Sequence, residues 1–171
     1  MFLLIHYTRF ALAVLAAIAC ARPAGLGPGV VLGRRGMVAT DAVEATRVGV
    51  DILRAGGNAV DAAVATAFAL AVVFPEAGNV GGGGFLVARG IDGKAWALDF
   101  RETAPAAATP EMYRGRPRAS LDGPLAAGVP GSVAGLYEAH HKLGRLPWTR
   151  VLAPAIRLAE DGFSVSPALA Q

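Results

Sequence analysis

Four glycines in a row, Gly81, Gly82, Gly83 and Gly84, constrain this chain more than any other feature. Glycine loses more backbone freedom on folding than any other residue, so such a run belongs where backbone turns through positive φ or passes close to something else. The segment after the run is strand-like. Residues 85–89 are apolar, Asp92-Gly93 is a favoured two-residue turn, and residues 95–100 alternate. That alternation sets Trp96, Leu98 and Phe100 on one face and Asp99 with Arg101 on the other. The expectation is a β-hairpin that ends on an arginine. No Lys-Ser/Thr pair comes after the glycines, and a strand rather than a helix is next, which argues against a phosphate-cradling loop.

Helices are expected on both sides of the hairpin. Residues 36–40 read as a short strand leading into a helix over 42–55. An Asp41-x-x-Glu44 start, a Gly56-Gly57 stop and an apolar stripe of Ala45, Val48, Gly49, Ile52 and Leu53 mark it. Glu44, Arg47, Asp51 and Arg54 lie opposite as a solvated, mutually paired face. Asn58 then caps a helix over residues 59–73 whose only charge is Asp61, in the first turn where the helix dipole favours an anion. Apolar on every side, this helix is expected to be buried on every side. At about 22 Å it is too short for a bilayer and suits a layer packed on a sheet. Residues 103–125 are loop-rich, with prolines at 105, 110, 117 and 124. A third helix is predicted over 133–142, where His140 and His141 are read as surface residues without metal-ligand partners. A fourth is predicted over 148–160, kinked or restarted at Pro154 and closed by Gly162 and Phe163. Ser166-Pro167 opens another.

The first 35 residues read differently. Residues 1–21 resemble an export signal: Arg9 gives the positive charge, residues 10–19 the apolar core, and Ala17-Ile-Ala19 or Ala19-Cys-Ala21 the small-residue cleavage site. The only cysteine, Cys20, sits at the end of this segment, so the processed chain has no internal disulfide. Acylation of Cys20 as a lipoprotein is the lesser alternative, because Ala17 replaces the usual leucine. Residues 22–35 form a connector rich in Gly, Pro and Arg. The formal net charge of +3 comes from arginines scattered through loops, without the clustering or motif that a nucleic-acid surface needs. No run reaches the roughly 18 apolar residues of a membrane span.

The wording of residues 78–85, Gly-Asn-Val-Gly-Gly-Gly-Gly-Phe, and of residues 98–105, Leu-Asp-Phe-Arg-Glu-Thr-Ala-Pro, resembles the large subunit of the γ-glutamyltransferases (glutathione hydrolases), which are N-terminal-nucleophile hydrolases. Gly36-Met-Val-Ala-Thr and Ile52-Leu-Arg-Ala-Gly-Gly-Asn-Ala-Val-Asp-Ala-Ala-Val-Ala upstream extend the likeness. Gly128-Val-Pro-Gly-Ser-Val-Ala-Gly and Leu152-Ala-Pro-Ala-Ile-Arg-Leu-Ala-Glu-Asp-Gly-Phe continue it downstream, so that it runs from about residue 33 to 170. It implies an α/β fold, part of a four-layer αββα sandwich that is incomplete in this chain, with residues 36–171 forming the N-terminal part of the large subunit.

The resemblance implies chemistry as well. Enzymes of this family cut their own precursor and use the exposed N-terminal threonine of the small subunit as nucleophile, its α-amine serving as base. The γ-glutamyl group of glutathione or another γ-glutamyl compound is held as an acyl-enzyme, then passed to water, an amino acid or a peptide, without a cofactor or metal. None of Thr8, Thr40, Thr46, Thr66, Thr103, Thr109 or Thr149 stands in the family's Thr-Thr-His setting. Catalytic residues are therefore expected only in the small subunit, the implied partner from the same precursor, and this chain alone is expected to be inactive. The residue that carries over is Arg101, matching the family's arginine that grips the α-carboxylate of the γ-glutamyl group, a task suited to a planar guanidinium. From spacing alone, an ion pair of Arg101 with Asp99 or Glu102 is the alternative. At the level of function the rival to an enzyme piece is a non-catalytic module that keeps a glutamate-like site without turnover.

Overall fold

The computed structural model describes residues 30–167 and 169–170. The expected export segment, Cys20 and most of the connector lie outside the described residues. The chain divides into two units, residues 1–34 and 35–171. In the first, the described residues 30–34 are exposed and belong to no helix or strand. The second holds four helices and one hairpin: α1 (Val43–Arg54), α2 (Ala59–Val73), β1 (Phe85–Arg89), β2 (Ala95–Asp99), α3 (Ser132–Leu143) and α4 (Trp148–Asp161). It is an α/β arrangement with a two-stranded sheet, and no helix among the described residues is long and apolar enough to cross a membrane.

The chain reaches α1 without the expected strand. Residues 36–40 carry no ladder partner; Val38 packs into the core, and the Thr40 hydroxyl donates to the Ala42 carbonyl at 2.7 Å. Nor does Asp41 cap the helix. The cap position is Ala42, one residue later, and it makes no side-chain capping bond. The far end agrees with the sequence: the Gly57 N–H donates to the Ile52 carbonyl at 3.0 Å and the Gly56 N–H to the Leu53 carbonyl at 3.1 Å, with Gly56 at φ 90°. This is a Schellman ending, which satisfies carbonyls that the helix leaves open.

Helix α2 begins on a reciprocal capping box. Asn58 Oδ1 accepts from the N–H groups of Val60 and Asp61, and Asp61 Oδ2 accepts from the Asn58 N–H at 2.8 Å. Helices α1, α3 and α4 pack around α2 in two apolar clusters, one centred on Val64, Leu136 and Val151, the other on Ala45, Ala69 and Val73. Burial is not complete on every side, however. Ala59 and Ala63 are exposed, and a cavity of about 570 Å³ lies along this face, lined by Val38, Leu53, Ala62, Ala63, Thr66 and Leu70 among others.

His140 is not a surface residue. The inner face of α3 comprises Ser132, Gly135, Leu136, Ala139 and His140, at the spacing i, i+3, i+4, i+7, i+8. The His140 ring is 90% buried, with Nε2 at 2.8 Å from the Leu146 carbonyl and the ring centroid 5.1 Å from that of Trp148. His141 does lie on the surface, stacked on Tyr137. Below them Asp61 is wholly buried. Besides Asn58 it accepts from the backbone N–H groups of Arg145 and Leu146, and its Oδ1 lies 3.5 Å from His140 Nε2. The start of α2 is thereby fastened to the α3–α4 loop, a tie that Asn58 Nδ2 doubles by donating to the Leu143 carbonyl at 2.6 Å.

The strands of the hairpin pair antiparallel from Phe85 opposite Asp99 to Arg89 opposite Ala95. The turn differs from the two-residue form. Gly90 N–H donates to the Lys94 carbonyl at 2.9 Å, Gly93 N–H donates to the Gly90 carbonyl at 3.0 Å, and Gly93 has φ 80°. Residues 91–93 are thus a three-residue loop closed by a left-handed glycine, a form that an Asp-Gly pair serves equally well. Helix α4 continues through Pro154 as one element, and Gly162 ends it at φ 79° with Phe163 packed into the second cluster. After it, where Ser166-Pro167 is expected to open another helix, the described residues form a single turn, in which the Leu169 N–H donates to Ser166 Oγ at 3.2 Å.

Candidate functional site

Gly81, Gly82, Gly83 and Gly84 all have ordinary negative or extended φ, so the run makes no left-handed turn; Gly82, Gly83 and Gly84 serve close approach, and a Cβ on Gly81 would meet nothing within 4 Å. A Cβ on Gly83 would stand 2.6 Å from the Arg101 Cα and 2.7 Å from the Phe100 carbonyl oxygen, and one on Gly84 would stand 3.0 Å from the Phe100 ring. The opposite wall is also glycine. A Cβ on Gly131 would fall on the Phe100 carbonyl oxygen, one on Gly135 2.1 Å from Phe100 Cγ and 2.2 Å from its Cβ, and one on Gly128 2.9 Å from the Glu102 Cβ. Backbone thus encloses residues 100–102 from two directions, at distances that no side chain permits.

Hydrogen bonds close the same enclosure. Phe100 N–H donates to the Gly84 carbonyl at 2.9 Å, extending the hairpin by one residue. Thr103 and Val129 exchange two bonds as an isolated antiparallel bridge. The Gly82 carbonyl accepts from the N–H groups of both Gly131 and Ser132, at 2.8 and 3.0 Å. Asn79 Oδ1 accepts from the Gly82 N–H at 2.9 Å and from the Ser132 hydroxyl at 2.5 Å. A cavity of about 430 Å³ lies against this backbone, lined by Asn79, Gly83, Gly84, Phe100 and Ser132 among others.

Arg101 leaves this frame as an exposed side chain. Its guanidinium carbon lies 6.0 Å from the centre of the Phe85 ring, a cation–π distance that extends the side chain along the end of β1. Among the ion pairs of the described residues none involves Arg101. Asp99 is engaged elsewhere: its Oδ1 accepts from the Arg101 backbone N–H at 3.0 Å, holding the backbone and leaving the guanidinium free of it. By contrast, Arg114 and Arg118 in the next loop are paired with Glu111 and Asp122. No three His, Cys, Asp or Glu side chains gather closely enough to hold a metal ion among the described residues.

Chemically, an arginine on a rigid backbone with its five N–H donors uncommitted is an anion-binding group, matched to a planar carboxylate. Sequence reasoning located that arginine and the glycine run, and did not find Asn79, Ser132 or Asp61 as organisers. Their signal was present in part: Gly131 or Ser132 is the start expected for the helix over 133–142, and Asn79 stands two residues before the first of the four glycines.

A glycine-paved hairpin that presents an arginine outside any ion pair, with helices packed beside it, defines an α/β protein with an exposed cationic group at the end of its sheet. The chain belongs to the γ-glutamyltranspeptidase family, whose family model matches residues 45–171. It is 53% identical over 145 residues to the glutathione hydrolase proenzyme of Escherichia coli, a match covering 82% of this chain and 25% of that protein. To the glutathione hydrolase proenzyme of Pseudomonas aeruginosa it is 54% identical over 136 residues, covering 77% of this chain and 24% of the relative. The crystal structure of Helicobacter pylori γ-glutamyltranspeptidase superposes with a TM-score of 0.78 at 45% identity, over 82% of this chain and 42% of that one. The chain therefore spans about a quarter of the length of these curated relatives.

Proposed function

We propose that this chain is the N-terminal part of the large subunit of an exported γ-glutamyltransferase. Residues 36–171 contribute one share of an αββα sandwich, and residues 1–21 direct export and are removed. The complete enzyme cleaves the γ-glutamyl bond of glutathione and related compounds. A threonine at the N-terminus of the small subunit attacks the γ-carbonyl, the γ-glutamyl group is held as an ester, and water or an amino acid takes it up. Within this scheme Arg101 binds the α-carboxylate of the γ-glutamyl group through paired N–H···O bonds and so sets the distance from that carboxylate to the reacting carbonyl.

One observation carries the reading: the Arg101 guanidinium is without a carboxylate partner while the backbone beneath it is fixed on both sides by glycine contacts. A structural arginine gains from an ion pair, and Asp99, two residues away, faces its backbone instead. A ligand-binding arginine gains from a rigid origin and an open fork, because less freedom is lost on binding.

The test is expression of the reading frame continued past Gln171. The expected product cleaves itself, exposes a threonine at the new N-terminus and releases 4-nitroaniline from γ-glutamyl-4-nitroanilide. A stop codon directly after Gln171, or a continuation without a self-cleaving threonine, would defeat the enzyme reading and favour a binding module.

A further inference from the structure

We propose that Asn79 and Ser132 are positioning residues for Arg101, acting through the glycine run and not through the substrate. The inference rests on the carboxylate-binding reading of Arg101 and adds to it the device that aims the guanidinium.

Three bonds form a closed ring. Ser132 Oγ donates to Asn79 Oδ1 at 2.5 Å, Gly82 N–H donates to the same oxygen at 2.9 Å, and the Gly82 carbonyl accepts the Ser132 N–H at 3.0 Å. Ser132 is 4% exposed, and Gly131 beside it gives its own N–H to the Gly82 carbonyl at 2.8 Å. One residue beyond the ring on either side stand the two backbones that touch the arginine's segment. Gly83 lies against the Arg101 Cα and the Phe100 carbonyl, and Gly131 lies against that carbonyl from the start of α3. A displacement of Gly82 or of the α3 N-terminus is therefore passed directly to residues 100 and 101.

The ring is not ordinary helix capping. Helix α3 begins at Gly131 without a side-chain capping bond, and the Ser132 hydroxyl reaches 53 residues back along the chain. The ring holds Gly82 by contact as well, since a Cβ built there would stand 2.6 Å from Asn79 Oδ1, whereas nothing stands within 4 Å of one built on Gly81. Hydrogen bonds fix the direction of the Gly82 backbone. Asn79 Oδ1 supplies one directly, and the Ser132 N–H, aligned by its hydroxyl, supplies another.

The measurement uses the processed two-subunit enzyme and two donors, γ-glutamyl-4-nitroanilide and 4-aminobutanoyl-4-nitroanilide, the same donor without the α-carboxylate. Asn79→Ala and Ser132→Ala should each raise KM for the carboxylate-bearing donor about tenfold, because an ångström of misplacement at a binding group commonly costs one to two orders of magnitude. They should leave KM for the carboxylate-free donor unchanged and add nothing in an Arg101→Ala background, the signature of residues acting as one unit. Asn79→Asp, which keeps the accepting oxygen, should restore KM. Equal effects on both donors, or effects additive with Arg101→Ala, would overturn the proposal. Should Asn79→Ala fail to mature, Ser132→Ala, which keeps the backbone bond to Gly82, carries the test; failure of both to mature assigns them to folding and overturns it. An Arg101→Ala enzyme with normal KM for both donors brings down the carboxylate reading itself, an outcome distinct from normal Asn79→Ala kinetics beside an impaired Arg101→Ala.

Discussion

Asp61 shows how much one buried side chain holds. Its carboxylate has no exposure and accepts from the backbone N–H groups of Asn58, Arg145 and Leu146, which belong to two segments more than 80 residues apart. Asp61→Ala removes the acceptor from all three, and each unsatisfied buried donor costs roughly 1 to 3 kcal/mol. The substitution should lower the unfolding free energy of the mature protein by about 3 kcal/mol or more in a urea titration. A loss below about 1 kcal/mol would show that the N–H groups find other partners. The sequence showed Asp61 as a first-turn anion; its tertiary role was hidden because the N–H groups it accepts from lie far along the chain. Half-buried Glu138 is a milder case. Its hydrogen bond to Lys142, at 2.8 Å, and then the charge of that lysine hold its carboxyl below the ordinary glutamate value. A carboxyl depressed in the folded state stabilises above its unfolded pKa, and the benefit disappears as pH falls through the lowered folded value. An NMR titration should place the Glu138 midpoint below that of a free glutamate, and Lys142→Ala should raise it; an unmoved midpoint would contradict the pairing.

At the scale of elements, local chemistry determines where helices end. Gly56 sits at φ 90° with nothing near the position of a Cβ, so Gly56→Ala meets only backbone strain and should cost about 1 to 2 kcal/mol. Gly135→Ala is different in kind, since the added methyl group would overlap the Cβ and Cγ of Phe100 and the hairpin could not dock on α3 as it does. Gly135→Ala should abolish maturation while Gly56→Ala only lowers Tm; equal Tm losses in mature proteins would contradict the enclosure of Phe100. All four helices were legible because the apolar pattern and at least one end signal agree in each: glycine stops after α1, α3 and α4, and the Asn58 cap with Pro75 beyond the last turn for α2. The features that were not legible depend on neighbours. Residues 36–40 have strand composition and no described strand beside them, Asp92-Gly93 fits both a two-residue and a three-residue turn, and His140 continues the inner face of α3 although its neighbours His141 and Lys142 are polar. A polar residue at the end of a buried stripe is chosen by its partner, here the Leu146 carbonyl, and partners in loops leave no periodic trace.

The whole chain spans about a quarter of the length of the curated relatives it matches. Helix α2 keeps one face along a cavity of about 570 Å³, and the hairpin leaves the apolar Phe85 and Val87 exposed. The proposed role of Arg101 comes from the motif around it, since on spacing alone an arginine beside Asp99 and Glu102 reads first as an ion pair; the backbone bond taken by Asp99 is a matter of geometry alone. The central claim is that this guanidinium binds the donor's α-carboxylate, and the direct measurement is the donor KM of Arg101→Ala enzyme, taken on the same preparation as its yield of self-cleaved protein. Removing one partner of a desolvated charge pair costs about 2 to 5 kcal/mol, so KM for γ-glutamyl-4-nitroanilide should rise roughly 30-fold or more while self-cleavage proceeds as in the unsubstituted protein. Unchanged KM in the mature Arg101→Ala enzyme, or reduced self-cleavage with normal donor kinetics in the fraction that matures, would contradict the claim.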